Sequence, residues 1–181
     1  MTPKPEDLRV HAIGALALVV LLVQWITLYR LVGPLTGYFL PQMHFGSYTS
    51  GQFFAFTLAL YEAPDSFDLY LGLLQWVDPV FILLYCLWLL KATRPMWLCI
   101  LSILAYAGLD LAENALLLTY LGDLRAALPL TDAATRDSAM ADPGVLSLST
   151  VTSAKLVVGA LTAAYTFGRV LLIRRRTQAA P

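Results

Sequence analysis

The sequence predicts an all-α integral membrane protein: a bundle of four transmembrane helices with a short interfacial or re-entrant helix in the first external loop. Three observations predict it. Of 181 residues, 59% are hydrophobic and only 13% are charged, against roughly 45–50% and 25% in soluble domains. Four stretches reach the roughly 20 apolar residues that a helix needs to cross a bilayer core of about 30 Å. The Lys and Arg residues gather at one set of chain ends and turns. The chain reads as one transmembrane domain, 1–181.

The first span runs from about Val10 to Tyr29. Lys4 and Arg9 precede it, as in a signal peptide, but its apolar run of about 18 residues exceeds the usual 7–15 and no small-x-small site follows. Trp25, Tyr29 and Arg30 close it as an interfacial belt does. The second span is placed at about Leu69 to Leu90, the third at Met96 to Leu121 and the fourth at Leu146 to Ile173.

Cations set the predicted orientation. Lys4 and Arg9 lie before span one, Lys91 and Arg94 in the turn after span two, and Arg174, Arg175 and Arg176 after span four. By the positive-inside rule, both termini (1–9 and 174–181) are cytoplasmic and the loops 31–68 and 122–144 are external. The long loops hold Arg30, Arg125 and Arg136 beside Glu62, Asp65, Asp68, Asp123, Asp132, Asp137 and Asp142, and the rule counts Lys and Arg, not net charge. Arg and Ala usage points to a bacterial inner (plasma) membrane.

In the first external loop, Gly33, Pro34, Gly37 and Pro41 break the helix. Ser50 to Tyr61 then reads as a short apolar helix, too short to span, that lies in the interface or folds back over the bundle. Asp65 or Ser66 is the expected cap of span two. The second loop reads as polar, with room for a short helix. No internal repeat of the kind that builds transporters is visible.

Charges inside the spans are the informative residues, because a central charge costs at least about 2.5–3.5 kcal/mol. Asp78, Asp110, Glu113 and Lys155 are four such residues. Counted from the external helix ends, each lies roughly 12–16 Å deep at 1.5 Å per residue, so all four sit near one plane. Helix faces repeat at three and four residues. Span two then presents Gln75, Asp78, Ile82 and Tyr85; span three Ser102, Tyr106, Asp110, Glu113 and Leu117 with Asn114 alongside; span four Thr152, Lys155, Gly159, Thr162 and Thr166; and span one Gly14, Ala17, Leu21 and Gln24. These polar or small faces must turn away from lipid.

Pro79 follows Asp78 and removes the donor for the Gln75 carbonyl, so a kink or opening is expected at the charge layer, with Lys155 or water supplying the lost partner. Three acids against one lysine give −2 if all are ionised. Such a layer holds protons on one or two carboxylates, or admits water or a cation. Lys155 is expected to stay charged and pair with one acid.

Asp78, Asp110, Glu113, Asn114 and Lys155 are therefore the candidate ligand- or proton-binding residues. Gln24, Gln75, Pro79, Tyr85, Tyr106 and Thr152 support them, with Tyr85, Tyr106 and Trp76 filling the bundle core. No catalytic residue, cofactor or metal is predicted. His11 sits at a span edge and His44 in a loop, which excludes bis-histidine haem ligation; zinc ligands, a phosphate loop and a nucleophile elbow are missing. Cys86 and Cys99 lie in apolar runs and form no disulfide framework. Twelve basic and twelve acidic residues cancel, which argues against nucleic acid as a partner.

The motif order is Asp-Pro-x-Phe-x-x-x-Tyr (Asp78, Pro79, Phe81, Tyr85), Asp-x-x-Glu-Asn (Asp110, Glu113, Asn114) and Thr-x-x-Lys (Thr152, Lys155). Over roughly Tyr29 to Tyr165 it resembles a group of bacterial four-span membrane proteins to which no activity is attached. A looser, architectural resemblance is to the emopamil-binding-protein-like (EXPERA) superfamily, which implies four or five spans, a large first loop and intramembrane acids. The histidine used by its sterol isomerases has no counterpart deep in a span here.

Three functions stay open, beside an intramembrane enzyme as a fourth option for which the sequence supplies no nucleophile–base pair. The layer is a pocket for a small hydrophobic or cationic molecule or a lipid, opened by the Pro79 kink and covered by Ser50–Tyr61. Alternatively, the chain is a proton-coupled transporter or channel subunit working as a homo-oligomer. In the third reading it is an assembly protein whose charge layer glues helices. The bilayer is the partner common to all three.

Overall fold

The computed structural model describes residues 5–92, 96–127 and 144–178. All regular structure among them is helical. Helix α1, Pro5–Thr27, continues into a π turn, Leu28–Val32. A 3-10 turn at Pro41–Met43 precedes α2, Ser50–Tyr61. Helix α3, Pro64–Ala92, is interrupted by a second π turn, Leu73–Val77. Helices α4, Met96–Ala127, and α5, Gly144–Gln178, complete the order. Val10–Val32, Pro64–Ala92, Met96–Asp123 and Ser147–Thr166 are long and apolar enough to cross a membrane. The chain is a multi-pass membrane protein built as a four-helix bundle.

Helix α3 begins at Pro64, not at Leu69. Pro64 occupies N1, where its fixed φ suits the helix and its missing N–H is not needed. Neither Asp65 nor Ser66 is the cap: Ala63 is, and both residues lie inside the first turn. The acids that suggested loop are the solvated start of a helix. Likewise α4 runs through Asp123 and Arg125, and Arg125 bonds Asp68 of α3 at 2.9 Å over the Phe67 ring. Lys4, Arg94, Asp132, Arg136, Asp137 and Asp142, and the short helix expected in the second loop, lie outside the described residues.

Helix α3 packs against α1 and α4, and α4 packs against α5. Two glycines permit close aromatic contact. A Cβ on Gly14 would lie 2.6 Å from the Trp88 indole, and one on Gly159 would lie 2.8 Å from the Tyr106 ring. The faces turned away from the bundle carry exposed Leu16, Val19, Val23 and Ile26 on α1 and Leu101, Leu104 and Leu111 on α4. That is the surface lipid requires. Trp76, expected in the core, is 73% exposed.

Helix α2 folds back over the bundle. Thr49 and Gln52 form a capping box, with Gln52 N–H donating to Thr49 Oγ1 at 3.2 Å and Thr49 N–H donating to Gln52 Oε1 at 2.8 Å. Phe53, Phe56 and Leu60 are buried in it, each worth about 1.5–3 kcal/mol relative to exposure to water.

Two apolar clusters result. The one on the α2 side contains Leu28, Tyr48, Phe53, Phe56, Tyr70, Leu74, Leu117 and Leu148. The other contains Ala17, Phe81, Tyr85, Trp88, Leu89, Cys99 and Tyr106. On α1, α3 and α4 the buried polar residues fall between them: Gln24 between Ala17 and Leu28, Asp78 between Leu74 and Phe81, and Asp110 to Asn114 between Tyr106 and Leu117. On α5, Thr152 and Lys155 follow Leu148.

Candidate functional site

Lys155 reaches from α5 to α4. Its Nζ lies 2.9 Å from Asp110 Oδ1 and also pairs with Glu113 Oε2. Asp110 and Glu113 are three residues apart and share a helix face, so one ammonium can meet both. Thr152, one turn before Lys155, donates to Glu113 Oε1, and its Oγ1 is also 3.1 Å from the Leu148 carbonyl. The exposures are 1% for Asp110, 0% for Glu113 and 7% for Lys155. Lys155 thus engages two acids where one was expected.

Asp78 is held differently. Gln24 Nε2 on α1 donates to its Oδ1 at 3.0 Å, and Asn114 Nδ2 on α4 donates to its Oδ2 at 2.6 Å. Among the described residues no Lys, Arg or His pairs with it. Asn114 follows Glu113 directly, so the two halves of the layer join through adjacent residues of α4. Side chains from all four spans contribute.

Gln75 does not belong to the layer. It is exposed, because the π turn at Leu73–Val77 breaks the three-and-four spacing that placed it beside Asp78. The irregularity at Pro79 takes the form of this π turn. Asp78 N–H bonds the Leu73 carbonyl, five residues back. The carbonyl of Leu74 therefore loses its α-ladder donor, and that of Gln75 loses its own because Pro79 has no N–H. The Lys155 ammonium, a suggested substitute partner, is directed to Asp110 and Glu113.

Tyr85 and Tyr106 pack at 4.8 Å between ring centroids and form a floor with Phe81. Tyr85 Oη donates to the Gly159 carbonyl at 3.4 Å.

Sequence periodicity missed a polar roof on the α2 side. Tyr70 donates to Gln42 Oε1 from within α3, and Tyr48 is buried in the loop. Burial pushes the Tyr48 phenol well above its ordinary value, so it is a neutral donor at physiological pH. Gly46 N–H donates to Ser153 Oγ at 3.1 Å, tying this loop to α5. Gln42 and Tyr48 sit in irregular chain, where no period marks a buried face. A second buried polar residue high in span two, Tyr70, was the available signal.

Among the described residues, the buried atoms Gln24 Oε1, Asn114 Oδ1 and Gln42 Nε2 have no hydrogen-bond partner. A groove of about 500 Å³ lies on another face of α5, lined by Ser47, Ser149, Thr150, Ser153, Ala154, Val157 and Val158. The residues of α5 that enter the layer, Thr152 and Lys155, do not line it. Among the described residues no three His, Cys, Asp or Glu side chains converge as a metal cluster.

Protein-family models, curated proteins and solved structures were compared with the chain, and none matches it.

Proposed function

We propose that this multi-pass membrane protein binds a small hydrophobic cation, an amine that partitions into the bilayer, at its buried polar layer. One observation carries the reading. Among the described residues the layer holds three carboxylates and one ammonium, which meets Asp110 and Glu113 but not Asp78, and the buried acceptor oxygens Gln24 Oε1 and Asn114 Oδ1 have no donor. An unmet buried polar group costs about 1–3 kcal/mol. A hydrogen bond between membrane helices returns only about 0.6 kcal/mol on average. The layer is thus a poor way merely to hold helices, and it is short of donors and of positive charge. An ammonium supplies both. The roof of Tyr48, Gln42 and α2 covers the side from which the amine enters, and Asp110 and Glu113 receive its charge.

The test is binding of a series of lipophilic amines to the folded protein in nanodiscs, with neutral alcohols of the same shape as controls. Saturable binding of amines alone, weakened about tenfold or more by Asp110→Asn, is the expected result. The competing reading, helix glue, is favoured by the direct links the layer makes among all four spans. It predicts no amine binding and normal folding of Lys155→Met paired with Glu113→Leu, because apolar pairs of similar shape replace buried ion pairs.

A further inference from the structure

The two halves of the layer differ in what they lack. Asp110 and Glu113 already share an ammonium. Among the described residues, Asp78, 7% exposed, is met by two neutral amides and by no cation. Those same amides belong to Gln24 and Asn114, 3% and 5% exposed, and each has its carbonyl oxygen buried without a donor. One turn earlier on α3, the carbonyls of Leu74 and Gln75 have lost their α-ladder donors to the π turn and Pro79.

We propose that Asp78, Gln24 and Asn114 form a binding site for a dehydrated monovalent metal cation, sodium in the first instance. The proposal extends the reading above, that the layer takes up positive charge, to an inorganic ion at a second place.

The donor chemistry selects the ion. Every group at Asp78 offers oxygen, and carboxylate, amide and backbone carbonyls suit hard cations. Interrupted membrane helices hold sodium with such carbonyls. One carboxylate balances one positive charge, whereas a divalent ion would leave the half-site positive in a low-dielectric layer. A half-turn of each terminal amide exchanges its nitrogen for its oxygen beside Asp78. The arrangement seen, with both nitrogens inward at 3.0 and 2.6 Å, satisfies the carboxylate alone. The turned arrangement gives an ion one carboxylate and two amide oxygens without moving a helix.

The experiment is thermal unfolding of the full chain in nanodiscs in sodium, potassium, lithium and choline chlorides at equal ionic strength and constant pH, together with equilibrium binding of radioactive sodium. A saturable rise in Tm of a few degrees in sodium over choline is expected, with one ion bound per chain. Asp78→Asn abolishes both signals, Gln24→Leu weakens sodium about tenfold or more, and the lipid-facing Trp76→Leu changes neither. Equal Tm in all salts, or a sodium response that survives Asp78→Asn, overturns the proposal. If Asp78→Asn does not fold, Gln24→Leu keeps the carboxylate and decides the matter: unchanged sodium affinity there overturns it. A response to pH with none to sodium makes Asp78 a proton site and also overturns it. Amine binding is read through Asp110→Asn, so loss of either site leaves the other measurable.

Discussion

Asn114 donates to Asp78 at 2.6 Å while the preceding residue, Glu113, pairs with Lys155 on α5. Two consecutive residues of α4 therefore join the half of the layer made with α1 and α3 to the half made with α5. Asn114→Leu leaves Asp78 Oδ2 buried with no donor, which costs about 1–3 kcal/mol. Unfolding free energies in nanodiscs check this. The loss in Asn114→Leu paired with Gln24→Leu should not equal the sum of the single losses, since both act on one carboxylate.

Lys155→Met removes the only cation that faces Asp110 and Glu113 among the described residues. Breaking one partner of a buried ion pair costs about 3–5 kcal/mol. Adding Glu113→Leu returns part of that loss, because one of the stranded carboxylates goes with it. Stability measured for the single and double variants tests the order, and a double variant less stable than Lys155→Met contradicts it.

Gly159→Ala and Gly14→Ala push a methyl group into Tyr106 and Trp88 respectively. Overpacking of this kind costs about 1–3 kcal/mol. Gly108 has open space around its Cβ position, so Gly108→Ala should be neutral or slightly stabilising. Melting temperatures of the three variants give the comparison.

The Tyr48 phenol carries the one pH prediction. Burial raises it above its ordinary value of 10.0. Above about pH 10 the unfolded chain loses this proton and the folded chain keeps it, so the unfolded state binds fewer protons and stability falls as pH rises. Tyr48→Phe removes that contribution. Its alkaline unfolding midpoint should lie higher than that of the wild type.

The positive-inside rule places the α2 side outside. In a Cys86→Ala, Cys99→Ala background, Ser47→Cys should react with an impermeant maleimide added to intact cells, and Met96→Cys should not. The reverse labelling pattern inverts the topology.

Much of this architecture was legible in the sequence, for identifiable reasons. Hydropathy marked four spans because lipid demands apolar faces, and the spacing of Asp110, Glu113, Thr152, Lys155 and Gln24 marked the inward faces because an α-helix repeats faithfully. Ser50–Tyr61 was visible as a short apolar run after the Gly and Pro residues that break the helix. Gln75 was misplaced because a π turn alters the repeat, and a single sequence carries no sign of it beyond Pro79; Trp76 was placed inside by its aromatic character alone. Gln42 and Tyr48 enter the core from irregular chain, and Tyr70 meets them only because α2 folds back. Asp65 and Asp68 suggested loop by charge, though the first turns of a helix that emerges from lipid tolerate charge well.

The polar layer lies between an apolar cluster on the α2 side and another around Trp88. Electrically this is a charged plate between two insulators in series. A membrane voltage falls across both insulators, so a cation bound at the plate as proposed would have crossed part of the field. At about 2.3 kcal/mol per charge per 100 mV for the whole membrane, a layer half-way across would have its occupancy shifted by about 1 kcal/mol per 100 mV. Energising the membrane would then load or empty it without any change in concentration.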